Sequence, residues 1–176
     1  MIIPTLATER LILRPFNLMD ASVVKGLAGA FEVADTTQNI AHPYPDGMAE
    51  AWIAGHQHTY EHRQGVSLAI TLAATGTLTG AISLMNMEAG HQAELGYWLG
   101  VPYWNQGICT EAGRALVEFA QGPLSLTRLH ARHLSRNPAS GRVLLKLGFV
   151  HEETRKNDVE KWGQLEGAEY YGCNCD

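Results

Sequence analysis

Apolar and polar positions alternate along residues 10–15, where Leu11 and Leu13 oppose Arg10, Ile12 and Arg14. That period of two predicts a half-buried strand. The period then lengthens. Asn17 or Asp20 is placed to cap a helix carrying Val23, Val24, Leu27 and Phe31 on one face. Residues 36–47, TTQNIAHPYPDG, hold two prolines and a glycine and read as a loop. Asp46 is the expected cap of a second helix, with Met48, Trp52, Ile53 and Tyr60 turned inward. The alternation returns over 66–73, 78–85 and 91–100, with short turns between them, which predicts an antiparallel meander.

Ile108, Ala112, Ala115, Leu116 and Phe119 then recur at helical spacing, and Gly122-Pro123 ends that helix. Residues 126–134 predict another strand. Asn137-Pro138 is a cap followed by proline at the first helical position. Val143, Leu144 and Leu147 give that helix its apolar side and Gly148 its stop; residues 149–154 and 168–173 read as the last strands. The order is strand, two helices, three strands, helix, strand, helix, two strands. It predicts an α+β (mixed α/β) domain over 1–176, with a mostly antiparallel sheet of about seven strands flanked by four helices. Hairpin-linked central strands exclude a doubly wound sheet.

Composition narrows the partners. A formal net charge of −5 disfavours a nucleic-acid partner. No apolar run reaches the roughly 18 residues of a membrane helix, and the N-terminus lacks the pattern of a signal peptide. Three cysteines cannot all pair, so free thiols in the cytoplasm are expected.

The stretch YWNQGICTEA, residues 103–112, joins a strand end to a helix start. The first N–H groups of a helix lack internal partners and lie at the positive end of its dipole. A glycine there lets a ligand come close to the backbone. Gln106, Gly107, Ile108, Cys109 and Thr110 therefore form a candidate phosphate site. A P-loop would need a lysine after the glycine and a hydroxyl for magnesium, but Ile108 and Cys109 stand there. Gly-x-Gly-x-x-Gly is absent too. A diphosphate held without metal, beside a strand end able to pair with an amide-bearing chain, describes coenzyme A.

The segments TERLILRPF, AELGYWLGVPYWNQGICTEA, Asn137-Pro-Ala-Ser140 and RVLLKLGFVHEE resemble the GNAT acetyltransferase superfamily, and within it the Rim-type (RimJ/RimL) branch that modifies N-terminal amines of ribosomal proteins. The likeness spans residues 8–153. It implies acetyl-CoA as co-substrate, bound where two neighbouring parallel strands, 91–100 and 126–134, splay apart. Trp98, Leu99 and Gly100 would follow the pantetheine arm, and Asn137 would meet it. An N–H near Trp98 or Leu99 would polarise the thioester carbonyl. Arg142 and Lys146 could meet phosphates.

The implied reaction is direct attack by a neutral amine on a thioester. An α-amine has an ordinary pKa of about 7.7–8.0 against about 10.4 for lysine, so a modest carboxylate base suffices. Glu152 and Glu94 both match base positions in the superfamily, and only one of Glu152 and Glu153 should face the cleft. The tyrosine acid of many members is replaced by Leu144, and Ser140 matches the serine of the Rim-type branch. Cys109 sits at a helix start, where thiol pKa values fall. His58 and His62 stand four residues apart without a zincin glutamate, and no metal is expected. The acceptor could be a peptide N-terminus or a small-molecule amine such as a polyamine, amino sugar or antibiotic. A non-catalytic acyl-CoA-binding module is the alternative, and a monomer or a homodimer would serve any of these readings.

Overall fold

Leu11 and Leu13 are wholly buried, as their alternation requires. They belong to the second strand of the computed structural model, which describes residues 1–175. The strands are β1 (Leu6–Ala7), β2 (Leu11–Pro15), β3 (Val66–Leu72), β4 (Leu78–Glu88), β5 (Gln92–Leu99), β6 (Arg128–Leu134), β7 (Val150–Lys161) and β8 (Gln164–Asn174). They form one sheet in the order β1-β2-β3-β4-β5-β6-β8-β7. Every neighbouring pair is antiparallel except β5 with β6. The helices are α1 (Ala21–Ala28), α2 (Phe31–Thr36), α3 (Met48–Ala54), α4 (His56–Glu61), α5 (Ile108–Gln121) and α6 (Pro138–Lys146).

The expected architecture holds, with one more strand and with each N-terminal helix broken in two. Gly29 ends α1 where the chain meets Tyr44. A Cβ on Gly29 would lie 2.9 Å from the Tyr44 Cβ, so this crossing requires glycine. The bend leaves Val23 and Phe31 exposed and buries Ala21, Val24 and Ala28 instead. Asn17 does cap this region. Its side chain accepts from the Met19 N–H, Asp20 accepts from the Asn17 N–H, and Arg14 grips both Asp20 oxygens at 2.8 Å. Asp46 does not cap α3. Gly47, in the left-handed conformation, takes that position, and the Asp46 carboxylate pairs with Lys25.

Two apolar layers flank the sheet. Leu68, Ile70, Ile82, Leu84, Leu95, Leu99 and Leu129 pack with Ile108, Ala112 and Leu116 of α5 and Leu144 of α6. On the other face Ala69 and Trp98 pack with Val24, Ala28, Ile53 and Trp52 of α1 and α3. Side chains alternate between these faces, so Glu94, Gly96 and Trp98 look towards α1–α4, and Leu95, Tyr97 and Leu99 towards α5 and α6. Leu68 is fully buried in the larger layer. Leu68→Ala is expected to cost about 2–5 kcal/mol in a urea or thermal melt while leaving the far-ultraviolet spectrum intact.

Candidate active site

The parallel ladder between β5 and β6 lasts for three residue pairs, Gln92–Arg128, Ala93–Leu129 and Glu94–His130. Beyond it β5 stays bonded to β4 as far as the Leu99–Gly80 pair, and β6 stays bonded to β8 as far as Leu134–Ala168. The sheet therefore opens into a V.

Hydrogen bonds alternate along an antiparallel ladder. Gly100 donates to the Thr79 carbonyl, so Trp98 and Gly96 also turn their main-chain groups towards β4. Tyr97 and Leu99 turn theirs into the V. The Leu99 carbonyl accepts from the Trp104 indole at 2.8 Å. The Gly100 carbonyl accepts from Tyr103, so both Gly100 main-chain groups are engaged. Of the residues expected along the arm, Leu99 offers a free N–H. Trp98 and Gly100 do not, and Tyr97 joins Leu99 instead.

At the top of the V, Gly107 (φ near 75°) turns the chain into α5. No side chain caps that helix, and Glu111 donates the first intrahelical bond, to Gly107. The N–H groups of Ile108, Cys109 and Thr110 are left open, a ready anion site. Arg10 stands over this turn. It donates to the Gln106 carbonyl at 3.1 Å and to Glu111 at 2.6 Å. Glu111 also accepts from the Thr8 hydroxyl and the Arg10 N–H. Burial opposes its charge, yet these bonds hold its carboxyl below the usual range. Gln106 spends its side chain on the Pro102 carbonyl. Arg142 and Lys146 of α6 line the same cleft, which encloses about 940 Å³.

Glu94 lies at the last paired residue before the strands part. It is the only carboxylate among the described residues that line the cleft. Asn86 donates to one of its oxygens at 3.0 Å and Arg132 to the other at 3.3 Å. Asn86 has positive φ and sits where β4 bulges, which aims its amide at Glu94. Glu152 is not brought to the cleft. It is the bulged residue in the register shift between His151 and Glu153, packs over Gly172 and pairs with Arg128 at 2.6 Å. Glu153 pairs with Arg155.

Ser140 does reach the V. Its hydroxyl lies 2.8 Å from the Tyr97 hydroxyl, which can donate to the Ser140 carbonyl at 2.9 Å. Burial, partly offset by the Ser140 bond, pushes the Tyr97 phenol above its ordinary range and keeps it protonated. The sequence reading missed Tyr97 because it sought the phenol on α6. The aromatic run before the glycine loop was the available signal. Asn137 accepts from the Ser140 N–H as a cap and donates to the Thr36 carbonyl at 3.1 Å, so its amide is committed within the protein. At Cys109 burial overrides the helix-terminus effect and pushes the thiol up to about 12, away from a nucleophilic thiolate.

The model of the GNAT acetyltransferase domain matches residues 10–150. The chain belongs to the GNAT acetyltransferase family. It is 29% identical over 152 residues to the uncharacterized N-acetyltransferase YoaA of Bacillus subtilis (strain 168), covering 85% of this chain and 84% of that one. Over 92 residues it is 32% identical to the ribosomal-protein-serine acetyltransferase of Escherichia coli (strain K12), covering 52% and 51%. A solved structure of RimL, the ribosomal L7/L12 α-N-protein acetyltransferase in complex with coenzyme A, superposes with a TM-score of 0.88 at 17% identity, covering 98% of this chain and 99% of that one. The protein is an acetyl-CoA-dependent N-acetyltransferase.

The acetyltransferase cleft has a second wall, built from α1–α4 and the loop after α2. Thr36 to Ile40, Tyr44, Trp52 and His56 line it. Two cations and one amide staple that wall to the C-terminal strands and α6. Arg136 bonds Glu166 and Asp35 at 2.6 and 2.7 Å, Lys161 donates to the Ile40 carbonyl at 2.9 Å, and Asn137 holds Thr36 beside them through its neutral amide. The Lys161 ammonium also lies over the Trp162 indole ring, 4.4 Å from its centroid.

His56 is the wall's anomaly. It is 8% exposed, packed between Trp52 and Phe16, and neither ring nitrogen has a hydrogen-bond partner. Burial lowers its pKa to about 4, so the folded imidazole stays neutral. The unfolded imidazole binds a proton near pH 6.5, so the folded state loses stability as pH falls from about 6.5 towards 4. His56→Phe is expected to remove that slope, worth up to about 3 kcal/mol at the acid end, in melts run between pH 4 and 7.

Proposed function

We propose that this acetyltransferase modifies the N-terminal α-amine of a protein by direct attack in a ternary complex. The observation that carries the catalytic part is the position of Glu94, the one cleft-lining carboxylate among the described residues, at the point where the sheet divides. The name of the Escherichia coli relative supports a protein acceptor, and such a reaction belongs in the cytoplasm.

The fit of acetyl-CoA rests on the open N–H groups of Ile108, Cys109 and Thr110 and on the unpaired strand edge at Tyr97 and Leu99. Ile108 to Thr110 would hold the pyrophosphate, with Arg142 and Lys146 nearby for the remaining charge. The co-substrate supplies an acetyl group on a sulfur leaving group. Glu94 takes a proton from the attacking amine, directly or through water. Asn86 and Arg132 keep its carboxylate fixed during that transfer. The Leu99 N–H steadies negative charge growing on the carbonyl oxygen. Ser140, held by Tyr97, donates a hydrogen bond to the departing thiolate, which takes a proton from solvent, while Glu94 releases to solvent the proton it took from the amine. An α-amine needs no stronger base than this, because part of it is already neutral near pH 7.

Glu94→Gln is expected to lower kcat roughly 10²–10³-fold with coenzyme A affinity unchanged by calorimetry, whereas Glu152→Gln stays within about threefold of wild type. The reverse ranking would transfer the base to Glu152. At the phosphate turn, Gly107→Ala forces a side chain into left-handed φ and should weaken coenzyme A binding about tenfold, read by the same titration.

A further inference from the structure

Arg132 has more donors than the protein uses. A guanidinium offers five N–H groups. Arg132 directs Nε to Glu94 at 3.3 Å and one Nη1 hydrogen to the Tyr170 hydroxyl at 3.4 Å. Tyr170 in turn donates to Asp158 and lies under the Arg155 guanidinium, so the support behind Arg132 is fixed. The second Nη1 hydrogen and both on Nη2 have no partner among the described residues. The side chain is 34% exposed and lines the cleft.

The other lysine and arginine side chains lining the cleft, Arg142 and Lys146, stand on α6. Ala131 packs into the layer under α5 and α6, so strand alternation turns Arg132 to the opposite face, the one occupied by Glu94 and covered by α1–α4. That acceptor half thus holds one carboxylate and one guanidinium side by side. It carries no surplus negative charge for a polycation, and a second ammonium group would meet Arg132.

We infer that Arg132 is the specificity-determining residue of the acceptor site, recognising a carbonyl or carboxylate oxygen next to the reacting amine. This rests on the acetyl-transfer reading of the cleft. The spacing fits. In an α-aminoacyl group the nitrogen and the carbonyl oxygen lie about 3 Å apart, and the 3.3 Å hydrogen bond from Arg132 Nε to Glu94 sets carboxylate and guanidinium side by side, so one aminoacyl group can reach both. The amine donates to Glu94 while the oxygen accepts from the unused guanidinium hydrogens. A peptide N-terminus and a free amino acid share this chemistry, and simple alkylamines and polyamines lack it.

The test compares wild type with Arg132→Met and Arg132→Gln on trialanine amide, free alanine, isopropylamine and spermidine, following thiol release. Each amine keeps its own acidity in both enzymes, so the change in preference isolates Arg132. The variants should raise KM for trialanine amide and alanine roughly 10–100-fold, the weight of hydrogen bonds to a charged group. Loss of the Arg132 bond to Glu94 lowers kcat by a similar factor on every amine, so the kcat/KM preference for trialanine amide and alanine over isopropylamine should fall by that same 10–100-fold, with coenzyme A affinity unaltered. In wild type, the better of trialanine amide and alanine tells a protein acceptor from an amino acid. An equal loss on all four amines, no loss on any, or a wild-type preference for spermidine overturns the inference and leaves acetyl transfer standing. Bound coenzyme A with no thiol release from any amine overturns acetyl transfer itself, and the inference with it.

Discussion

The parallel ladder of β5 and β6 stops after three residue pairs because each strand has a better-bonded neighbour on its far side. β4 holds β5 through Leu99, β8 holds β6 through Leu134, and sheet twist turns the two groups apart. The divergence leaves the main-chain groups of Tyr97 and Leu99 without a strand partner inside a cleft. Buried backbone groups in that state call for a hydrogen-bonding ligand. An extended arm with amides answers the need as a short added strand would. The open N-terminus of α5 lies beyond the same gap, so one cleft holds both an unpaired strand edge and an uncapped helix start.

The rest of the architecture keeps that break in place. α5 and α6 press Leu116 and Leu144 onto one face of the sheet. Arg136, Lys161 and Asn137 tie the loop after α2 to the C-terminal strands on the other. The tie fixes the acceptor wall relative to Glu94 and Arg132 without covering them. Charge follows the same division. Arg142 and Lys146 stand on the α6 side, and the Glu94–Arg132 pair stands alone on the acceptor side.

Much of this was legible in the sequence because it rests on local rules. Leu11 and Leu13 announced a strand by alternation, Ile108 to Phe119 a helix by spacing, and Asn137-Pro138 its neighbour by cap and proline. Gly107 marked the turn into α5 for the same reason. What the sequence did not show depended on contacts between distant segments. Glu152 reads as a base from its place after LGFV, but a bulge and Arg128 carry it away from the cleft. Trp98 reads as a partner of the arm, but ladder parity, fixed by Gly100 and Thr79, turns its main-chain groups to β4 and leaves those of Tyr97 and Leu99 facing the cleft. The breaks at Gly29 and Gly55, the staples by Arg136 and Lys161, and the orphaned ring of His56 all follow from how separate elements meet, which no short window of sequence reports.

Amide hydrogen exchange with and without coenzyme A tests the divided sheet most directly. The account predicts that the ligand slows exchange at Leu99 and at Ile108, Cys109 and Thr110, while Trp98, already bonded to β4, changes little. Protection confined to other segments, or unchanged rates at Leu99 and the start of α5 in the saturated complex, would contradict it.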